Sequence, residues 1–96
     1  MAAATRQGDC CTGHDSCGAV PLTGCSSDVL INGKGAGRVG DSYASHGCVS
    51  HPSHSDKISA GSSSVFINGI SAGRVGDAVS IGGSVRDGSG NVFIGG

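Results

Sequence analysis

Val29–Asp41 reads VLINGKGAGRVGD, and Val65–Asp77 reads VFINGISAGRVGD. The two stretches lie 36 residues apart and differ only at Leu30/Phe66, Lys34/Ile70 and Gly35/Ser71. Each begins with a β-branched and aromatic or leucine run, the composition that suits a pleated, half-buried strand. Each continues into Asn-Gly, the favoured two-residue hairpin turn. The closing Arg-x-Gly-Asp suits a second turn, with the aspartate expected to bond its own downstream backbone. An isolated hairpin is marginal in water, so repeated copies must share a core.

A third copy exists in two halves. RQGD at Arg6–Asp9 matches RVGD at Arg38–Asp41 and Arg74–Asp77, while NVFIGG at Asn91–Gly96 matches DVLING and SVFING. The front of the copy therefore stands at the C-terminus and its back at the N-terminus, so it is complete only if the two ends meet. The expected organisation is one domain over residues 1–96, with repeats at 29–41 and 65–77 and a third split between 91–96 and 6–9. The expected fold is all-β and compact, with internal pseudo-threefold symmetry and no helix longer than a turn or two. An open two-repeat solenoid fragment does not explain why the ends match.

Composition sets the stability problem. The 96 residues are 36% hydrophobic and 3% aromatic, with Tyr43, Phe66 and Phe93 as the whole aromatic supply. A core that poor calls for help from disulfides, a metal or association. Nineteen glycines and two prolines point to tight turns, and the Val-Phe-Ile runs argue against disorder. The net charge is −1, and the few Lys and Arg residues are scattered, which gives no basic stripe for nucleic acid. MAAATRQGD lacks the apolar stretch of a signal peptide, and nothing reaches the length of a membrane span. The chain is thus expected to be made in a cytoplasm with its thiols reduced. The odd count of five cysteines weakens a disulfide framework, and four histidines nearby shift the reading towards a metal.

The loops that follow the three Arg-x-Gly-Asp turns differ in chemistry. His14 lies five residues after Asp9 and His46 five after Asp41, so the two are equivalent under the threefold repeat. The third equivalent place, around Ile81 and Gly82, carries no ligand, while His51 and His54 are extra histidines in the second loop. Histidines in Gly-Ser-rich loops are by default exposed polar residues. Four within residues 14–54, two of them in register with the repeat, point instead to a tetrahedral zinc-type site. The candidate ligands are His14, His46, His51 and His54, with Cys48 or Cys11 able to replace one histidine. Cys10, Cys17 and Cys25 read as small fillers or free thiols, a Cys17–Cys25 bridge being ill suited to a reducing compartment.

Taken together, the V-F-I-N-G…A-x-R-V-G-D units and the His-bearing CTGH near the N-terminus resemble the PAAR-repeat family, the sharp tips of type VI secretion spikes and contractile phage tails. The resemblance spans essentially the whole chain. The name-giving tetrad has drifted to Gly35-Ala36-Gly37-Arg38 and Ser71-Ala72-Gly73-Arg74, which keep the Ala and the Arg but not the Pro. What it implies is a small cone with pseudo-threefold symmetry, stapled by a metal near its point. The base of the cone would sit on the blunt end of a trimeric β-helical spike, one copy per trimer. That spike is the valine-glycine-repeat protein of secretion systems or the central spike of phages. The implied metal is zinc, with iron as the alternative, held by three histidines and a cysteine. By motif position His14, His46 and one histidine of HPSH match the three. The fourth ligand usually lies in a CGG after the last Arg-x-Gly-Asp, and here that stretch is SIGG, with Ile81 in place of the cysteine. His51 and His54 binding together, or Cys48 or Cys11 swinging in, would complete the set.

The function so implied is mechanical: a tip that covers the spike's exposed β-helix edges and narrows to a point for piercing an envelope. The protein would be made in the cytoplasm, then injected at the spike tip or carried in the virion tail, touching the target membrane transiently. Because the chain ends at Gly96 inside its own repeat, a bare tip is expected, with any effector a separate protein. The rivals are a free-standing zinc-binding module and a small zinc hydrolase. Against catalysis stand the absence of Glu as a general base, aspartates placed in turns and little room for a pocket. The chain is expected not to be an enzyme.

Overall fold

A computed structural model describes residues 1–13, 18–48 and 51–96, with the side chains of 46–48 and 51–54 outside the description. At its centre three Ala-x-Arg segments close a triangle. Arg6 pairs with Ala36, Arg38 with Ala72 and Arg74 with Ala4, each in antiparallel register. The middle residues complete a ring: the Gly37 N–H donates to Thr5 C=O at 2.9 Å, Gly73 to Gly37 at 2.9 Å and Thr5 to Gly73 at 3.2 Å. Every segment thus has a neighbour on both sides, and no edge is left unpaired. Only one of the three middle residues carries a side chain. A Cβ on Gly37 would stand 2.7 Å from Thr5 Cγ2 and 2.8 Å from Leu22 Cδ2. The two glycines leave the axis to Thr5.

Alternation along these segments divides the interior into two layers. The alanines face one way, into a layer of Ala4, Ala36 and Ala72 with Ile31, Ile67 and Ile94. Thr5, Gly37 and Gly73 face the other, towards Leu22 and Ile58. Those two belong to the second layer, with Cys11, Tyr43, Val79 and Val85.

Three hairpins enclose the first layer. β2 (Leu30–Ile31) pairs with β3 (Lys34–Gly35), and β6 (Phe66–Ile67) with β7 (Ile70–Ser71). Their turns hold Asn32 and Gly33 at φ 55° and 78°, and Asn68 and Gly69 at 56° and 76°. Two consecutive positive φ values are what a type I′ turn demands, which is why the sequence spends Asn-Gly there. The third hairpin joins the ends of the chain: β1 (Ala2–Ala3) pairs with β8 (Phe93–Ile94), with Ala2 opposite Ile94 and Ala3 opposite Phe93. Its register matches that of the other two, where Leu30 faces Gly35 and Phe66 faces Ser71. A serine enters each unit in the same way. The hydroxyls of Ser26, Ser62 and Ser89 accept the N–H of Val29, Val65 and Val92, each at 2.9 Å.

The Arg-x-Gly-Asp turns carry the chain from the first layer to the second. The third residues, Gly8, Gly40 and Gly76, lie at φ 91°, 91° and 94°, where a side chain would be strained. The aspartates bond upstream, not downstream as expected. Asp9, Asp41 and Asp77 accept the backbone N–H of Arg6, Arg38 and Arg74 at 2.8–3.0 Å and clasp the same arginine's guanidinium. The physical reason is the tight turn itself, whose Asp N–H already donates to the Arg C=O, so carboxylate and arginine end up on one side.

Beyond the turns, three more pairings hold the second layer: Cys11 with Val85, Leu22 with Tyr43 and Ile58 with Val79. From there β4 (His46–Cys48) and β5 (His51–His54) form a fourth hairpin, with no counterpart in the other two repeats among the described residues. The molecule measures 37 × 23 × 23 Å, one long axis and two equal short ones. It is all-β and pseudo-threefold, with no helix among the described residues long and apolar enough to cross a membrane.

Candidate functional site

Two surfaces at opposite ends of the axis hold the chemistry. At the first end, each hairpin turns one strand residue inward and its neighbour outward. Ile31, Ile67 and Ile94 are buried, while Leu30, Phe66 and Phe93 are 61%, 58% and 50% exposed. These three occupy equivalent places, so the free face of the hairpins presents a threefold array of large apolar side chains. Ile70 and Met1 are also exposed, as is Lys34 at the position that Ile70 fills in the second repeat.

Polar networks rim this face at its three corners. In two of them the left-handed asparagine of one hairpin reaches the next repeat: Asn32 Oδ1 accepts from Arg6 and from the Ser89 hydroxyl, and Asn68 Oδ1 accepts from Arg38 and from the Ser26 hydroxyl. At the third corner the Gly95 carbonyl takes the asparagine's part, accepting from Arg74 and the Ser62 hydroxyl. Hydrogen bonds donated to the paired aspartates hold the guanidinium groups of Arg6, Arg38 and Arg74 above their ordinary pKa. The Asp28 carboxyl is held below the usual carboxylate range by the Asn68 amide and then the Ser26 hydroxyl. Charge at this rim is therefore fixed through neutral pH.

Beyond the second layer lies the β4–β5 hairpin, whose backbone carries four of the candidate metal ligands, His46, Cys48, His51 and His54. His14 falls outside the described residues, as does Cys17. The segment leading to His14 is pinned: the Thr12 N–H donates to Ser84 C=O at 2.9 Å, and a Cβ on Gly83 would run into the Gly13 carbonyl. That contact sets Gly13 beside the third loop, in which Ile81 is exposed. The register of β4 and β5 places His46 opposite His54 and Cys48 opposite His51. The pairing slips by one residue between those two rungs, so Pro52 and Ser53 together face Gly47. Cys11 sits elsewhere, 1% exposed in the second apolar layer and paired with Val85. Cys10 and Cys25 are free thiols at intermediate exposure. No group of three His, Cys or Asp residues close enough to hold a metal occurs among the described residues.

Next to this hairpin in sequence, Tyr43 is 1% exposed, and its hydroxyl has no hydrogen-bond partner among the described residues. Burial, before any charge nearby, pushes the phenol well above its ordinary pKa. No cavity of pocket size opens among the described residues.

Sequence reasoning passed over Ala2–Thr5, Ser26, Ser62 and Ser89. A signal was present, since Ala4 precedes Arg6 by the same two residues that separate Ala36 from Arg38 and Ala72 from Arg74. Each serine likewise precedes its strand valine by three.

No curated protein matches the chain. A family profile, described as the PAAR motif, matches residues 7–87.

Proposed function

The chain belongs to the PAAR-motif family, which is associated with the spike tips of contractile injection machines, and on that premise we propose that it caps the blunt end of a trimeric β-helical spike, one copy per trimer. The observation that carries this reading is the array of Leu30, Phe66 and Phe93. Exposed apolar groups gathered on one face mark interaction surfaces. Three equivalent groups about one axis suit a partner with threefold symmetry, because each can meet the same patch on a different subunit. Burying each such side chain is worth roughly 1.5–3 kcal/mol before the costs of association. The corner networks hold the hairpins in place and lessen what docking would have to order. From that base the molecule leads to the single β4–β5 hairpin, so force along the axis would arrive on a small area of the target envelope. Delivery would carry the protein from the cytoplasm to the spike apex or the virion tail, in transient contact with a membrane.

A zinc-class ion belongs to the same proposal. The donor types at the far end, imidazole and thiol, fit such an ion. His14, His46, His51 and His54 are the proposed pool, with Cys48 as the alternative. Cys11, enclosed by Leu22, Tyr43 and Val85, would have to leave its layer to join them. The bound ion would supply a cross-link between chain segments too short to bury a core of their own.

The test is to mix the purified protein with a trimeric spike fragment and weigh the complex by native mass spectrometry. One copy per trimer is expected, and Phe66→Asp combined with Phe93→Asp should abolish the complex. Three copies per trimer, or no complex with the wild-type chain, would overturn the docking proposal.

A further inference from the structure

We propose that Asn32 and Asn68 are latent deamidation sites which the corner networks keep shut, and that only the change at Asn68 unlocks its corner. The charge of this rim, fixed against pH, is thereby open to one covalent change.

Of the three asparagines in the chain, Asn32 and Asn68 stand before glycine. That pair carries an intramolecular reaction. The glycine backbone nitrogen, once its proton has gone to hydroxide, attacks the asparagine Cγ. The bond from Cγ to the side-chain nitrogen then breaks, and that nitrogen takes a proton from water and leaves as ammonia. Water opens the resulting five-membered imide at either carbonyl, giving aspartate or its isomer linked through the side chain. One water enters and one ammonia departs. A glycine nitrogen is open to this attack because no Cβ shields it. Asn91, followed by Val92, lacks that opening.

Attack requires Cγ within about 3–3.5 Å of the glycine nitrogen. The fold instead ties each side chain into another repeat. Asn32 Oδ1 accepts from Arg6 at 2.9 Å and from the Ser89 hydroxyl at 2.6 Å, while its Nδ2 donates to Asn91 Oδ1 at 2.9 Å. Asn68 Oδ1 accepts from Arg38 at 3.1 Å and from the Ser26 hydroxyl at 2.6 Å, while its Nδ2 donates to Asp28 Oδ1 at 2.8 Å. Bending either Cγ onto its own glycine forfeits all three bonds. The backbone resists too, since both asparagines sit at positive φ between paired residues, Ile31 with Lys34 and Ile67 with Ile70.

The two sites differ in what faces the amide that is lost. At Asn32 it is another amide, and Asn91 can turn its NH2 towards a carboxylate. Arg6 and Ser89 already donate to that place, so the new charge is received. At Asn68 it is the Asp28 carboxylate. Two carboxylates would then stand at hydrogen-bonding distance with the amide donor gone from between them, and like charges so close repel. The corner opens at the hairpin that carries the exposed Phe66. The third corner is exempt, because the Gly95 carbonyl fills the asparagine's place.

The reaction is read by peptide mass mapping of the full chain held at alkaline pH, folded and in guanidinium chloride. Unfolded, Asn32 and Asn68 should react alike, with Asn91 lagging. Folded, each should react at least about tenfold more slowly, the least that three retained hydrogen bonds imply. Asp28→Ala should quicken Asn68 in the folded chain by about two- to tenfold and leave Asn32 unchanged, and Asn91→Ala should do the reverse. Equal rates folded and unfolded, or a quickening absent or spread over both sites, would overturn the protection by the corners. Asn68→Asp should lower the melting temperature more than Asn32→Asp does. Adding Asp28→Asn, which exchanges carboxylate and amide across the same bond, should restore most of that loss. Equal losses, or a loss that Asp28→Asn leaves in place, would overturn the unlocking at Asn68.

Discussion

The two apolar layers answer the same threefold geometry with different means. The first is written in two residue types only, three alanines and three isoleucines, each set equivalent about the axis. The second has two sets of three equivalent places, filled by Cys11, Tyr43 and Val79 and by Leu22, Ile58 and Val85. Position is repeated there, but identity is not. The difference follows from what lies beyond each layer. Next to the first are three matched hairpins and a face with three matched apolar groups, so departures from symmetry would be passed on to that face. Next to the second are loops of unequal length and chemistry, and the layer needs only to be filled at interior density.

The sharpest way to break this comparison is at the three clasps between the layers. Asp9→Asn, Asp41→Asn and Asp77→Asn should each cost about 1.5–3 kcal/mol, the usual worth of a hydrogen bond to a charged partner. If the symmetry is energetic as well as geometric, urea midpoints of the three variants will agree closely. A single clasp that dominates the others would show that one repeat carries the fold.

A smaller effect is expected on the axis. Gly37→Ala should cost about 1–3 kcal/mol through overpacking against Thr5 and Leu22. Gly73→Ala should cost less, since its nearest neighbours stand farther off, 3.0 Å at Ile58 Cδ1 and 3.2 Å at Thr5 Cγ2. Thr5→Ser, which removes the crowding methyl, should restore part of the Gly37→Ala loss in a double-mutant cycle. Additive losses would deny that Thr5 fills the axis for all three repeats.

In the second layer, Tyr43→Phe should leave stability unchanged or raise it by up to about 1 kcal/mol, because the hydroxyl removed is buried without a partner among the described residues. A clear loss would mean that the hydroxyl has a role in the upper half that its surroundings do not reveal.

The smallest effect concerns pH at one corner. The Asp28 carboxyl is held low in the folded protein, so its contribution is complete above the unfolded value near 3.9 and fades as pH falls through the lowered one. Asp87, held low chiefly by Arg86, acts in the same direction. The melting temperature should therefore drop below about pH 4, and Asp28→Asn should flatten that limb slightly. The equivalent residues Ser64 and Asn91 carry no charge, which confines this effect to a single corner.

Much of the first layer could be read from residues alone. Val-Phe-Ile, Asn-Gly and Arg-x-Gly-Asp have local physical meanings, and the like-patterned ends of the chain do lie side by side. The second layer was hidden because its return residues follow the three aspartates at irregular distances. Leu22, Ile58 and Val85 come 13, 17 and 8 residues after Asp9, Asp41 and Asp77. Cys11 invited a ligand reading for the same reason. Set beside Tyr43 and Val79, each two residues past its aspartate, it shows itself as a place for an apolar group. Of the proposed ligands, His46 stands opposite His54 and Cys48 opposite His51 in a backbone register whose slip no periodicity announces.

The pairing of β1 with β8 makes the backbone, in effect, a closed circuit interrupted at one of three equivalent bends. The break between Gly96 and Met1 falls where Asn32-Gly33 and Asn68-Gly69 span the other two hairpins. A circular permutant joined there and reopened at Asn68-Gly69 would trace the same hairpins in a new order. The order in which the hairpins follow one another along the chain is thus separable from the shape that they build together.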